Sequence, residues 1–178
     1  MFKNIARKLL QAVTRTRDFY YRRLREIAPS ARDQRVLEIG SGKQVKGQEA
    51  YSAVHIFNDV AEFRQTDINP AHGHEVLDIT KMNIQEQYDL ILCLNVLEHV
   101  YETEVAVCNL HAALRPGGRL IVAVPFAFPL HDEPHDFYRF TRYALERMLA
   151  AFDDVEVEVH GPAKMPFGHF VVATKQSS

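Results

Sequence analysis

The sequence predicts an α/β fold: a three-layer, doubly wound, mostly parallel seven-stranded sheet that ends in an antiparallel β-hairpin and follows an N-terminal amphipathic helix. Short apolar runs alternate with helical patterns along the chain, which is typical of a parallel sheet with helices on both faces. The strand runs are nearly all apolar, as expected where both faces are covered. The 178 residues are 47% hydrophobic and 25% charged, a composition that indicates one folded domain and excludes a disordered or fibrous chain.

The predicted elements follow one another in a regular order. Strands are predicted over residues 35–39, 62–67, 74–77, 88–94, 119–125, 155–160 and 167–174. Helices are predicted over residues 48–59, 101–114 and 141–152, the last with Thr141 as its N-cap. Turn residues join the last two strands, which therefore form the hairpin.

A basic segment precedes the predicted sheet. Apolar residues recur at helical spacing over residues 3–27, and Pro29 ends the pattern because proline disfavours a helical conformation in the residue before it. We therefore divide the chain into a basic amphipathic helix, residues 1–30, and a core domain, residues 31–178. Residues 1–35 carry ten Lys/Arg and three Asp/Glu, so the helix could contact an anionic partner. Alternatively, the helix packs on the acidic core domain, either as a lid or with its arginines in solvent.

The chain carries no pattern of a membrane or disulfide-rich protein. Its apolar runs are shorter than the roughly 20 residues that span a bilayer, and no apolar signal core follows the basic N-terminus. We therefore expect a cytoplasmic protein without a transmembrane segment. Cys93 and Cys108 lie within or beside apolar segments and lack Cys-x-x-Cys spacing, which favours two buried thiols over a redox pair or zinc ligands.

A glycine turn and an acidic residue mark a candidate nucleotide site. The first core strand runs directly into Gly40-Ser41-Gly42, where glycines permit a tight turn and let a ligand approach backbone N–H groups. The second strand ends at Asp67, whose carboxylate could accept two hydrogen bonds from a ribose diol. A turn cap is the alternative for Asp67. Val45 stands where the dinucleotide fingerprint requires its third glycine, so pyrophosphate binding is disfavoured.

The third strand is followed by a second acidic residue. Asp78 could accept a hydrogen bond from the amino group of an adenine, and Ile79 could pack on the ring. A turn cap is an equally good explanation of Asp78 taken alone.

Five segments, in order, resemble the class I S-adenosylmethionine-dependent methyltransferases. They are VLEIGSG (36–42), FRQTDI (63–68), EVLDI (75–79), YDLILCLNVLEHV (88–100) and LRPGGRLIVAVPF (114–126). The resemblance covers most of residues 34–174. It implies a Rossmann-like methyltransferase fold for residues 31–178, S-adenosylmethionine as the cofactor and methyl transfer as the activity.

The resemblance also implies which residues bind the cofactor. In that family the glycine turn faces the methionine part of the cofactor, the acid after the second strand takes the ribose, and the end of the fourth strand lies beside the methyl group. The implied residues are Glu38, Gly40, Ser41, Gly42, Asp67, Ile68, Asp78, Ile79, Leu94 and Asn95. Gln44 stands in place of the family's usual third glycine, and the short stretch 79–87 predicts a more exposed cofactor site than usual.

Histidines after the fourth and fifth strands are candidate catalytic residues. His131 and His135 lie in a loop, residues 125–141, that the predicted fold places over the methyl group. Because histidine titrates near neutral pH, either could act as general base for a hydroxyl acceptor. His99 lies nearer the expected methyl position. The alternative for the loop is structural, with Asp136 paired to Arg139.

The sequence indicates only the general class of the methyl acceptor. Few residues remain for a recognition insert, so we expect transfer to an oxygen or nitrogen of a small-molecule or carrier-linked acceptor, in a monomer or a homodimer. A catalytically inactive S-adenosylmethionine-binding or methyltransferase-like partner protein is the alternative. Residues 95–98 differ from the Asn/Asp-Pro-Pro-Tyr/Phe pattern of nucleobase amino methylases. We predict no metal site, because the pairs His72/His74 and His131/His135 lack further ligands nearby in sequence.

Overall fold

The computed structural model describes residues 16–43 and 52–177 and confirms the seven-stranded sheet. The strands are β1 Arg35–Ile39, β2 Glu62–Asp67, β3 Glu75–Val76, β4 Tyr88–Leu94, β5 Leu114–Pro125, β6 Asp154–His160 and β7 Gly168–Thr174. Their order in the sheet is β3-β2-β1-β4-β5-β7-β6. Strands β1 to β5 are mutually parallel, and β7 runs antiparallel to both β5 and β6.

Three α-helices flank this sheet in the described part of the chain. Helix α1 covers residues 16–27, α2 is Thr103–Ala113 and α3 is Arg142–Met148. The predicted N-cap of α3 is confirmed, because the hydroxyl of Thr141 accepts a hydrogen bond of 3.2 Å from the amide of Ala144. Residues 3–15 of the predicted basic helix lie outside the described residues. No helix within 16–43 and 52–177 is long and apolar enough to cross a membrane.

Several predicted elements have different bounds in the structure, and two of them differ most. The helix predicted over residues 48–59 is wrong in its described part, where only a 3-10 turn, Val54–Ile56, is present. A helix does not form here because the amide of Ala53 donates to the carboxylate of Glu38 at 2.6 Å and is not available for a helical hydrogen bond. The strand predicted from residue 119 begins at Leu114 in the structure, and the register of β5 with β4 shifts near this start.

The sheet separates two apolar cores. Consecutive strand residues face opposite sides, so Leu37, Ile91 and Leu120 pack under α2 and α3, whereas their neighbours in sequence pack under α1. Both faces are therefore buried, which explains the continuous apolar runs of β4 and β5. One predicted core residue is wrong: Cys93 is buried in β4, but Cys108 is exposed because it points outward from α2.

Helix α1 packs on the hairpin end of the sheet. Phe19 stacks on His160 with ring centroids 4.6 Å apart, and Arg23 forms an ion pair of 2.6 Å with Glu158. The buried hydroxyl of Tyr20 donates to the carbonyl of Val124 at 2.9 Å. The described part of the basic helix thus packs on the core domain, as the alternative explanation of its charge expected. Binding of an anionic partner by this helix stays a prediction.

Candidate active site

A cavity of about 1360 Å³ lies at the carboxyl ends of β1, β2 and β4. This is the edge at which ligands bind in open α/β sheets, beside the point where the strand order reverses. Residues of α1, including Thr16 and Tyr20, line one side, and His131 and His135 of the loop after β5 line another. The predicted cofactor residues in its wall are Glu38, Gly40, Gly42, Asp67, Ile68, Asp78, Ile79, Leu94 and Asn95.

The glycine turn after β1 needs glycine for its backbone and for a close approach. Gly40 and Gly42 have φ values of +67° and +71°, which other residues rarely adopt. A Cβ on Gly40 would lie 2.5 Å from Cγ2 of Val96, in the segment after β4. The turn therefore presses against that segment and leaves its backbone open to the cavity.

Glu38 fixes the turn from below. Its buried carboxylate accepts hydrogen bonds from the hydroxyls of Ser41 and Ser52 and from the amide of Ala53. Burial raises the pKa of Glu38, and these hydrogen bonds oppose that rise. The structure places Ser41 behind the cavity wall, with its side chain turned toward Glu38 at 2.7 Å.

Asp67 joins the end of β2 to the glycine turn. One carboxylate oxygen accepts from the amide of Gly42 at 2.9 Å, and the other accepts from the amide of Asn69 at 2.8 Å. Nδ1 of His72 lies 3.0 Å from the first oxygen. Burial raises the pKa of Asp67, but its contacts with Asn69, His72 and Gly42 outweigh burial and hold it below the ordinary value. The turn-cap role is thus present, and unused lone pairs of an ionised carboxylate remain for a ligand.

Asp78 caps a turn, which was the alternative to its predicted contact with an adenine. Its Oδ1 accepts from the amide and hydroxyl of Thr80, and Oδ2 lies 2.8 Å from Nζ of Lys81. The side-chain contacts with Lys81 and Thr80 hold the pKa of Asp78 below its ordinary value. Ile79 is buried, so it forms the floor of this part of the cavity.

The segment after β4 turns back over the cavity. Asn95 has a φ of +53°, a conformation that asparagine tolerates better than most residues. Its amide donates to the carbonyl of Ala123 at 2.8 Å. A short 3-10 helix, Leu97–His99, follows directly. This reversal brings Glu98 and His99 to the acceptor side of the site.

Glu98 is a candidate functional residue that the sequence analysis missed. Its side chain is 0% exposed, it lines the cavity, and within the described residues neither carboxylate oxygen has a hydrogen-bond partner. Burial raises the pKa of Glu98 to about 8. The sequence signal that could have indicated Glu98 is a charged residue shortly after the apolar run of β4. Its burial depends on the loop after β5, because the amides of Phe137 and Tyr138 donate to the carbonyl of Glu98.

Two of the three predicted catalytic histidines meet beside Glu98. The rings of His99 and His131 are 4.7 Å apart, edge to face, and Nε2 of His99 lies 3.9 Å from Oε1 of Glu98. Each of the three residues offers a donor atom within 4.8 Å of the other two. His135 lines the cavity, and its carbonyl lies 2.7 Å from Nδ1 of His99.

The predicted pair of Asp136 and Arg139 is confirmed and holds the histidine loop in place. Arg139 donates to both carboxylate oxygens, at 2.6 and 2.7 Å. Asp136 also accepts from the amide of His131 at 3.0 Å, and Arg139 donates to the carbonyl of Pro129 at 3.0 Å. Arg139 is the main reason that the pKa of Asp136 lies well below its ordinary value. A charged, bidentate pair of this kind stiffens the backbone that carries His131.

Comparison with known families identifies one whose model covers most of the chain. The model, described as a methyltransferase domain, matches residues 10–153. The match includes the glycine turn, Asp67 and both histidine segments. It confirms the resemblance that the five sequence segments indicate. The comparison with curated proteins found no match.

Solved structures of similar fold include several methyltransferases. The CurJ carbon methyltransferase has a TM-score of 0.63 at 21% identity, over 85% of this chain and 51% of that one. The N-methyltransferase NodS from Bradyrhizobium japonicum WM9 has a TM-score of 0.67 at 16% identity, over 91% and 97% of the two chains.

A third structure contains bound ligands. The 1,6-didemethyltoxoflavin-N1-methyltransferase from Burkholderia thailandensis, with 1,6-didemethyltoxoflavin and S-adenosylhomocysteine bound, has a TM-score of 0.62 at 18% identity, over 99% and 90% of the two chains. The chain thus spans about half the length of CurJ but most of the other two. At these identities the likeness shows a shared fold.

Proposed function

Because this chain belongs to the methyltransferase-domain family, we propose that it transfers the methyl group of S-adenosylmethionine to an oxygen or nitrogen of a small-molecule or carrier-linked acceptor. One observation carries the proposal. A single cavity joins the glycine turn and Asp67 at one end to His99, His131 and His135 at the other. Cofactor and acceptor could therefore meet without a large rearrangement.

The cofactor end fits an adenosyl group with a methionine part. Gly40 and Gly42 leave backbone open at the cavity, and Asp67 keeps acceptor capacity for ribose hydroxyls beside its internal hydrogen bonds. Ile68 is an apolar side chain that is 66% exposed at the same place, as expected of a residue that packs on a flat ring. In this proposal Glu38 is a positioning residue, because its carboxylate is occupied by the turn itself.

The acceptor end must hold an atom in line with the methyl group. The transfer is a one-step displacement, in which the acceptor lone pair forms the new bond to carbon as the carbon–sulfur bond breaks, leaving S-adenosylhomocysteine. A hydroxyl acceptor must also lose its proton, and His99, His131 and His135 are the candidate residues for that task. Thr16 and Tyr20 of α1 close the opposite side of the cavity and favour a small acceptor or a narrow carrier arm.

Titration calorimetry of the full chain with S-adenosylmethionine and S-adenosylhomocysteine tests the cofactor. NAD is the ligand control, Asp67→Ala is the site variant, and Asp59→Asn is the variant control, because Asp59 is 74% exposed in a surface ion pair. We expect both sulfur ligands to bind and NAD not to bind, with binding lost in Asp67→Ala only. If neither sulfur ligand binds, the proposal is wrong.

Methyl transfer itself needs a separate measurement. A screen of hydroxyl and amine acceptors with methyl-labelled S-adenosylmethionine would detect labelled products. Turnover of one acceptor class would establish the reaction. Tight cofactor binding without turnover on any acceptor would instead support the inactive partner protein that is the alternative function.

A further inference from the structure

We propose that Glu98, His99 and His131 form a binding site for a divalent transition-metal ion at the acceptor end of the cavity. The binding itself rests on the geometry of these residues. Only the role of the ion in the reaction rests on the proposed methyl transfer.

The carboxyl group of Glu98 is buried without a hydrogen-bond partner among the described residues. Its side chain is fully buried, and neither oxygen accepts a hydrogen bond within the described part of the chain. Buried carboxyl groups in proteins are almost always hydrogen-bonded, paired or bound to a metal, because a buried polar group without a partner is costly even when it is neutral. Arg139 acts on Glu98 through its charge but donates no hydrogen bond to it, because its guanidinium donates to Asp136 and to loop carbonyls. A cation in the cavity would supply the missing partner.

The two histidines are oriented by acceptors at one ring nitrogen. Nδ1 of His99 lies 2.7 Å from the carbonyl of His135, so it must carry the proton of that hydrogen bond. Nδ1 of His131 lies 3.3 Å from both the carboxylate of Asp136 and the carbonyl of Pro129. Each ring therefore has acceptors at Nδ1, which leaves the lone pair on Nε2 free. Histidines that bind metals are oriented in this way, by a carbonyl or carboxylate at the other ring nitrogen.

The donor atoms of Glu98, His99 and His131 are close to the spacing that a metal ion requires. The three lie within 4.8 Å of one another, and Nε2 of His99 is 3.9 Å from Oε1 of Glu98. Donors at about 2.0–2.2 Å from a zinc ion are roughly 3.4 Å apart, so side-chain shifts on the order of 1 Å would close the site. Only partial coordination results, since three protein ligands leave at least one position open. Asp132, 81% exposed and 4.0 Å from His99, could occupy it in the absence of an acceptor.

The donor set indicates which ions fit. Two imidazoles and one carboxylate favour zinc, iron or cobalt over magnesium and calcium, which prefer oxygen ligands. An acceptor hydroxyl at the open position would release its proton more readily, to water or to His135. Its oxygen would then form the bond to the methyl carbon as the carbon–sulfur bond breaks. The site therefore favours an oxygen acceptor over a nitrogen acceptor.

The test is a metal titration of the untagged full chain without S-adenosylmethionine. After treatment with a chelator, the protein is titrated with Zn²⁺ by calorimetry and with Co²⁺ by visible absorption, which reports the ligand field. The variants are Glu98→Gln and His131→Ala. The matched control is His55→Ala, because His55 is an exposed histidine outside the cavity. We expect one ion per wild-type and His55→Ala chain, with affinity at least about 10-fold lower in the other two.

Two outcomes would overturn the site. One is that the wild-type chain binds neither ion at micromolar concentration, and the other is that Glu98→Gln and His131→Ala bind like His55→Ala. Circular dichroism of each variant checks folding, and two variants on different elements guard against one that fails to fold. The result is independent of the proposed function, since metal binding without cofactor binding would remove methyl transfer and keep the site. Cofactor binding without metal binding would remove the metal site and keep the proposed methyl transfer.

Discussion

The amide of Gly42 donates a hydrogen bond of 2.9 Å to the carboxylate of Asp67, which ties the glycine turn after β1 to the end of β2. The other oxygen of Asp67 holds the amide of Asn69 at 2.8 Å. The residue proposed to hold the ribose is thus also the residue that positions the turn proposed to face the methionine part. Its loss would affect both halves of the cofactor at once.

We predict that Asp67→Asn weakens S-adenosylmethionine binding by about 10- to 100-fold, because each charge-assisted hydrogen bond contributes roughly 1.5–3 kcal/mol. The same change should lower the free energy of unfolding by about 1–2 kcal/mol. The NH₂ group of asparagine cannot accept a hydrogen bond, so one of the two backbone amides that Asp67 holds loses its acceptor. Calorimetry and urea denaturation measure the two effects. Asp59→Asn, on the surface, should change neither, and an Asp67→Asn protein with wild-type affinity would exclude Asp67 from the site.

We predict that Gly40→Ala destabilises the fold by more than Gly73→Ala. Both glycines have positive φ, +67° and +81°, so both variants incur a backbone strain of about 1 kcal/mol or more. A Cβ at position 40 also lies 2.5 Å from Cγ2 of Val96, whereas nothing lies within 4 Å of one at position 73. Urea denaturation of both variants measures the difference.

The double variant Gly40→Ala/Val96→Ala separates strain from collision. Removing the valine methyl groups should recover part of the loss at position 40, giving a favourable coupling energy in the cycle. Equal losses for Gly40→Ala and Gly73→Ala would mean that the turn does not press on the segment after β4.

Local sequence patterns were sufficient for the sheet but not for every element beside it. The apolar runs of β4 and β5 predict buried strands because both faces of the sheet are covered. The helix predicted over residues 48–59 failed in its described part because Glu38, in a distant strand, takes the amide of Ala53. Cys108 was misplaced because the apolar residues around it occupy the buried face of α2, one position away on the helix.

The acceptor side was harder to predict for the same reason. Histidines at 99 and 131 are visible in the sequence, but their meeting depends on a loop folded back from β5. The burial of Glu98 depends on backbone hydrogen bonds from Phe137 and Tyr138, which are almost forty residues further along the chain. No local periodicity encodes contacts of that range.

We predict that Tyr20→Phe lowers the free energy of unfolding by about 1–3 kcal/mol. The hydroxyl is buried, donates to the carbonyl of Val124 and faces the amide of His169, so its removal leaves polar backbone groups at the end of β5 and β7 unsatisfied. Gly168 shows how closely it fits, since a Cβ there would lie 2.1 Å from the hydroxyl oxygen. Tyr143→Phe, at a residue that is 74% exposed, is the matched control and should stay within about 0.5 kcal/mol of the wild type. Equal stability of the two variants would mean that the hydroxyl does not fasten α1 to the sheet.

We predict that His169 makes the fold sensitive to acid. Its side chain is 2% exposed, and burial, with a further contribution from Arg142, lowers the pKa of His169 below the ordinary value near 6.5. The unfolded chain therefore binds a proton at a pH where the folded chain does not, so stability is full above about pH 6.5 and falls as pH falls toward the folded pKa. His111 and His160, whose pKa values burial also lowers, act in the same direction. Urea denaturation of the wild type and His169→Gln between pH 5 and 8 should show a shallower acid loss in the variant. Because His111 and His160 are present in both proteins, parallel curves would mean that His169 does not contribute.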